Sequence, residues 1–297
     1  MKWSNIKELL MHILFFLTAC VSIFAVVLIC VFLFANGIPA IGKIGVFKFL
    51  LGTKWKPGND IYGILPMILG SLYVTAGAII IGVPIGLLTA VFLAKFCPKG
   101  LYKILKPATE LMAGVPSVVY GFFGLVVLVP LVQNIFGVAG NTMLTASVLL
   151  GIMILPTIIG VSESAIRAVP DSYYEGSLAL GASHERSVFF ATLPAARSGI
   201  LAGVVLGIGR AIGETMAVVM VAGHKPRMPQ GLVAGNSTAM PSSILDGVRT
   251  MTANIVMEMG YATDLHREAL IATAVVLFVF ILMINVTFSL LRRKDRA

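Results

Sequence analysis

Residues 175–223 read EGSLALGASHERSVFFATLPAARSGILAGVVLGIGRAIGETMAVVMVAG. The first part is polar enough to lie in water, and the second is apolar enough to cross a membrane. Yet the apolar part carries Arg210 and Glu214. At 1.5 Å per residue, Arg210 lies about 22 Å beyond Ala195, near mid-membrane. A lone charge at that depth costs at least about 2.5–3.5 kcal/mol on insertion scales. Glu214 follows at i+4, so a continuous helix puts both side chains on one face, able to pair, with Thr215 adjacent. Two readings of the pair stand side by side. It locks helices together, or it lines a solute path in which a forked guanidinium suits an anion. They are compatible, because a pair can open as solute passes.

Outward from this stretch the chain is apolar from end to end. It has 297 residues, 58% hydrophobic and 12% charged, where soluble domains carry about 25% charged residues. Six runs read as transmembrane spans, at about 11–35, 64–96, 108–136, 143–164, 195–221 and 268–291. The expected fold is an all-α polytopic membrane protein. Residues 1–10 form an N-terminus, 11–292 a transmembrane domain with a connecting loop at 167–194, and 293–297 a C-terminus. Leu17–Cys20 is similar to a lipoprotein cleavage box, but the apolar run continues past Cys20, so the first span reads as uncleaved. Pro66 and Pro84 are expected to bend span two. Val46–Leu51 fits either a short interfacial helix or an ordinary loop.

The net charge of +9 could suggest nucleic acid, but the basic residues cluster in short loops between spans. With the N-terminus inside, the cytoplasmic segments hold thirteen Lys and Arg, including Lys2, Lys95, Lys106, Arg167, Arg186 and Arg296, against eight in longer outer loops. That density places both termini in the cytoplasm. Cys20, Cys30 and Cys97 form no CxxC and have no histidine beside them, so no disulfide framework, metal site or cofactor is called for. No GxxxxGK[ST] occurs, so ATP is not bound through a P-loop of this chain. A membrane-embedded protease needs a Ser–His pair, two aspartates or HExxH on spans. His12, His184, His224 and His266 lie at or outside span edges, and no aspartate lies within one, which argues against an enzyme.

With this orientation, residues 167–197 face the cytoplasm. A short helix over 172–182 is expected after Pro170, capped by Asp171 or Ser172 and ended by Gly181. Pro194 then opens span five in its first turn. A helix so held is a rigid handle, and a push on it moves two spans. Within span five, Gly199, Gly203 and Gly207 repeat at four, and Gly209 and Gly213 repeat on another face, as close helix packing requires. Glu110 is a weaker path candidate, because it lies only a few residues past Lys106 and close to the inner interface.

Glu175-Gly176-Ser177, three residues, Gly181, then Leu193-Pro194 resembles the EAA loop of bacterial ABC importer permeases. That pattern runs Glu-Ala-Ala, three residues, Gly, nine residues, Ile, one residue, Leu-Pro. Gly176, Ser177 and Ala191 depart from it. The resemblance implies docking of this loop on a separate ATPase subunit. Leu206–Val218 and Glu110–Gly121 resemble the phosphate importer permeases, and Val248–Gly260 is similar to their C-type subunit, PstC. The resemblance implies a type I importer fold with a cytoplasmic coupling helix in the bacterial inner membrane. It also implies phosphate as solute, and as partners an ATPase dimer, a second PstA-like permease and an extracytoplasmic phosphate-binding protein. Its site residues would be Arg210, Glu214, Thr215 and Glu110 for the path, and Glu175, Gly176, Ser177, Gly181, Leu193 and Pro194 for coupling. A permease for molybdate or sulfate is the alternative, and an autonomous channel or carrier a more distant one.

Overall fold

The computed structural model describes residues 3–226 and 244–294. The far ends assigned to the cytoplasm, with Lys2 and Arg296, and the middle of the 223–267 segment lie outside them. The regular structure of the described residues is helical apart from one two-stranded hairpin and a single parallel bridge between Gly223 and Val248. The elements are α1 (Trp3–Ile44), α2 (Val46–Leu51), β1 (Trp55–Lys56) paired antiparallel with β2 (Ile61–Tyr62), α3 (Leu65–Val91), α4 (Lys99–Gly114), α5 (Ser117–Phe123), α6 (Val129–Phe136), α7 (Met143–Arg167), α8 (Asp171–Ala179), α9 (His184–Ser187), α10 (Leu193–Gly213), α11 (Met216–Val221), α12 (Met251–Glu258) and α13 (Asp264–Lys294). Six stretches among them are long and apolar enough to cross a membrane.

The core is a stack of α3, α7 and α10, sealed by Ala78, Leu149, Leu150, Met153, Ile154, Ile158 and Ala211. Small residues set the spacing. A Cβ on Gly82 would lie 2.8 Å from the carbonyl of Gly151, and one on Gly207 would lie 2.9 Å from Ile158. Backbones that approach this closely gain dispersion contacts, the main attraction left between helices when lipid is as apolar as leucine. A second cluster, around Phe49, Trp55, Tyr62, Met251 and Leu270, closes the hairpin end. A third, around Val91, Ile166, Val188 and Ala196, closes the end bearing α8, here termed the handle end.

α1 runs alongside α13, tied by Lys43 to Glu268 at 2.7 Å and by the edge-on rings of Phe34 and Phe278. Its helix continues to Ile44, past the end expected near residue 35, because Gly37 lies close against Ala272 and Val275 of α13. The Leu17–Cys20 box lies within this helix. Val46–Leu51 is a short helix with Phe49 buried and Phe47 exposed.

Three π-turns occur in the spans, two within them at Gly124–Leu128 and Val188–Thr192 and one at Phe92–Phe96 that ends the second. Each ends two residues before a proline: Pro98, Pro130 and Pro194. A proline ring clashes with the carbonyl four residues back and offers no N–H, and a widened turn relieves both problems. Pro194 stands in the first turn of α10, as expected, while the apolar span extends back through the π-turn to His184. Pro66, expected to bend span two, stands in the first turn of α3.

Two further spans depart from expectation. The third does not begin near residue 108. Val115 is extended, Pro116 caps α5, and residues 99–114 form a separate amphipathic helix, α4, with no buried residue. A proline disfavours helical backbone in the residue before it, and this breaks the run. The fifth stops at Gly213, with Glu214 extended at ψ 131°, and restarts at Met216.

Candidate functional site

The break at Gly213–Thr215 undoes the pairing that i+4 spacing implies. Arg210, in the last turn of α10, donates from Nη1 to Oγ1 of Thr157 on α7 at 3.3 Å. Glu214 turns the other way, and its Oε1 accepts the N–H of Ala217 at 3.2 Å. Its backbone carbonyl accepts Oγ1 of Thr252, and Thr215 donates to the carbonyl of Gly213. A helix broken inside a membrane leaves peptide groups that lipid cannot satisfy. Here Glu214, Thr215 and Thr252 satisfy some of them. Arg210 is left with a neutral hydroxyl as partner and, among the described residues, no carboxylate.

Glu110 does not join this group. It lies on α4, largely exposed, with Lys106 at 3.6 Å as its ion partner. It borders an open groove of about 600 Å³ with Pro107, Leu111, Gly114, Val115 and Pro116. Tyr120 ties the two sides of the break by donating to the carbonyl of Met112 at 2.9 Å.

The handle is α8 and the turn after it. Pro170 occupies the N-cap position, with Asp171 the first helical residue, in place of the expected Asp171 or Ser172 cap. The C-terminus is a Schellman turn. Gly181, at φ +84°, donates to the carbonyl of Leu178, and Ala182 donates to that of Ser177. Glu175 and Gly176 face solvent, as do Tyr173 and Leu180, the latter 90% exposed. Ser183 caps α9, and His184 Nδ1 meets the hydroxyl of Tyr174 at 2.6 Å, which holds α8 against α9. Leu193 packs into the handle-end cluster, while Pro194 is exposed.

Sequence reasoning missed two buried carboxylates. Glu163 on α7 accepts Tyr102 and Arg167 at Oε1 and Lys106 at Oε2, each at 2.8 Å. These hydrogen bonds raise the pKa values of Lys106 and of the Tyr102 phenol. Glu258, at the end of α12, accepts Arg249 at 2.6 Å and Trp55 and His266 at 2.8 Å. Glu163 had a local signal, an acid four residues before Arg167 at the end of an apolar run. Glu258 had none, since Trp55 lies two hundred and three residues away in sequence.

The family model for the binding-protein-dependent transport system inner membrane component matches residues 82–296. The chain is 36% identical over 290 residues to "Probable ABC transporter permease protein YqgH" of Bacillus subtilis, covering 93% of this chain and 89% of that one. It is 33% identical to "Phosphate transport system permease protein PstC" of Mesorhizobium japonicum, covering 90% and 85%. It is 31% identical to the "Probable phosphate transport system permease protein PstC" of Methanocaldococcus jannaschii, covering 96% and 95%. Among solved structures, a methionine ABC transporter, MetNI, in an inward-facing conformation matches at TM-score 0.59 and 18% identity, covering 82% of this chain and 99% of that one. An importer of the acidic polysaccharide alginate matches at 0.60 and 15%, covering 98% of each. At these identities the structures establish a shared fold.

Proposed function

Because this chain belongs to the family of binding-protein-dependent transport system inner membrane components, we propose that it carries inorganic phosphate across the bacterial cytoplasmic membrane as the PstC-like half of a permease pair. It is a multi-pass permease subunit of an ABC importer, and ATP is hydrolysed on separate ATPase chains. An extracytoplasmic binding protein supplies the solute. The finer assignments are a PstA-like second permease, a phosphate-specific binding protein and cytoplasmic termini. They rest on the PstC relatives and on the charge distribution of the loops.

The observation that carries the reading is Arg210. A guanidinium held at the middle of α7, with a threonine hydroxyl for a partner and no carboxylate among the described residues, leaves a cation in search of an anion. Phosphate offers charge and paired oxygens to such a fork. The helix break one residue past Gly213 opens backbone toward the same level of the membrane, as discontinuous helices do where they line a cavity. Glu214, Thr215 and the more distant Glu110 are the remaining path residues of this proposal. At the handle end, exposed Glu175 and Gly176 on α8 and Leu180 just after it form the surface offered to the ATPase, with Ser177 and Gly181 shaping its turn and Leu193 and Pro194 joining it to the span. Movement of α8 rocks α7 and α10 between outward-open and inward-open arrangements.

The test is uptake of labelled phosphate by cells that lack other phosphate importers and carry this chain with its partners. Saturable uptake that excess sulfate or molybdate leaves intact supports the reading. Uptake abolished by either competitor assigns the path to that oxyanion.

A further inference from the structure

Glu163 has no place in either working region so far described, yet it is among the costliest residues in the fold. Its side chain is 2% exposed and accepts three donors from two helices. An apolar residue of similar volume commonly serves stability as well as a buried ion pair does. The arrangement therefore asks for a different explanation, and its connections supply one.

Arg167, on the same helix as Glu163, spends its second arm on the carbonyl of Leu93 at 2.7 Å. Leu93 lies in the π-turn that ends span two, and Pro98, five residues on, has no N–H to give that carbonyl. Lys95, in the same turn, reaches Asp171 of α8 at 3.7 Å and lies 5.5 Å over the ring of Tyr174. The opposite side of Glu163 holds α4 through Tyr102 and Lys106. About 9 Å farther along α7, six residues at 1.5 Å each, Thr157 accepts the hydrogen bond from Arg210.

We propose that Glu163 is the positioning residue that couples the handle to Arg210, by clamping α4 and the end of span two onto α7 so that displacement of α8 moves Thr157 relative to the guanidinium. The inference rests on the reading of this chain as an ATP-driven phosphate permease with Arg210 in the path. The clamp makes the end of α7 one rigid piece with α4, whose far end is the break at Val115–Pro116. Motion at the handle then reaches the middle of the membrane and is not absorbed by local bending.

The experiment uses the whole importer in proteoliposomes and measures labelled inorganic phosphate imported per ATP hydrolysed. Glu163→Gln preserves shape while removing the charge and replacing one of the two acceptor oxygens with an NH2 donor. The expected result is a complex that assembles and hydrolyses ATP but imports about tenfold less phosphate per ATP, the size of effect typical of residues that carry coupling. A ratio within about twofold of the parent overturns the proposal. Should Glu163→Gln fail to assemble, Tyr102→Phe combined with Lys106→Met removes the α4 donors and leaves α7 whole, and the same ratio decides. A parent complex that hydrolyses ATP yet imports no phosphate overturns the substrate reading instead. Glu163 is then judged by whether its variant loses stimulation of ATP hydrolysis by the binding protein. Retained stimulation overturns the coupling role.

Discussion

Arg210 and Glu214 lie four residues apart and do not meet. The helix ends between them, Arg210 donating to Thr157 and Glu214 accepting the N–H of Ala217. The two charges are therefore separate devices. Arg210→Gln is expected to reduce phosphate uptake by more than about tenfold, since a hydrogen bond to a charged group contributes about 1.5–3 kcal/mol. The exchange Arg210→Glu with Glu214→Arg is expected not to restore it. Uptake at matched membrane levels of the protein checks this, and rescue by the exchange would show that the pair forms in some working state.

Glu214→Ala removes the acceptor for the Ala217 N–H in the first turn of α11. Loss of such a cap costs about 1 kcal/mol, while Glu214→Asp retains part of it. Thermal unfolding of the purified chain in detergent should rank the parent above Asp and Asp above Ala. Equal midpoints for all three would deny the capping role.

Gly181 holds φ +84° with open space around it, so the strain of a side chain there is in the backbone alone. Gly181→Ala is expected to cost about 1–2 kcal/mol of handle stability and to weaken retention of the ATPase on co-purification. Gly176, helical and equally uncrowded, behaves oppositely. Gly176→Ala should strengthen α8 by about 0.5–1 kcal/mol and leave ATPase retention intact.

The glycines of α10 divide by face. Gly199, Gly203 and Gly207 abut α7, whereas Gly209 and Gly213 have nothing within 4 Å of an added Cβ. Gly207→Ala should therefore destabilise the isolated chain by about 1–3 kcal/mol through overpacking, and Gly209→Ala should not. Paired melting curves distinguish the two.

His224 follows α11, with Nδ1 buried and unpartnered among the described residues. Burial, and then the neighbouring Arg249, hold its pKa below the ordinary 6.5. The folded state thus binds this proton less readily than the unfolded chain. The resulting stability is full above 6.5 and is lost as pH falls through the depressed value. The melting midpoint is expected to drop between about pH 7 and pH 5, and to drop less in His224→Gln. An identical slope in the variant would remove His224 as the cause.

Much of this architecture is legible in residue order. Six apolar runs, lysine-rich short connections, Pro170 ahead of α8 and Gly181 after it each act through neighbours a few residues away. The two broken spans were harder to read. Pro116 is a local signal for the break in the third, obscured by apolar residues on both sides. The break at Glu214 has no proline, and its freed carbonyl is met by Thr252, thirty-eight residues downstream. Glu110 looked like a span residue for the same reason, since an apolar count does not register a helix that stops.

What the sequence determined by itself was the solvent of this protein, the number of crossings, the handle and the presence of an expensive cation at Arg210. Hydrophobic transfer and backbone stereochemistry act locally, and residue order contains them. Only the tertiary structure decided what each charge faces. Arg210 meets Thr157 and not Glu214, Glu163 gathers donors from α4 and α7, and Glu258 gathers them from β1, from Arg249 two residues before α12 and from α13. A buried charge takes whatever polar group the packing brings within about 3 Å, and that depends on the placement of whole helices.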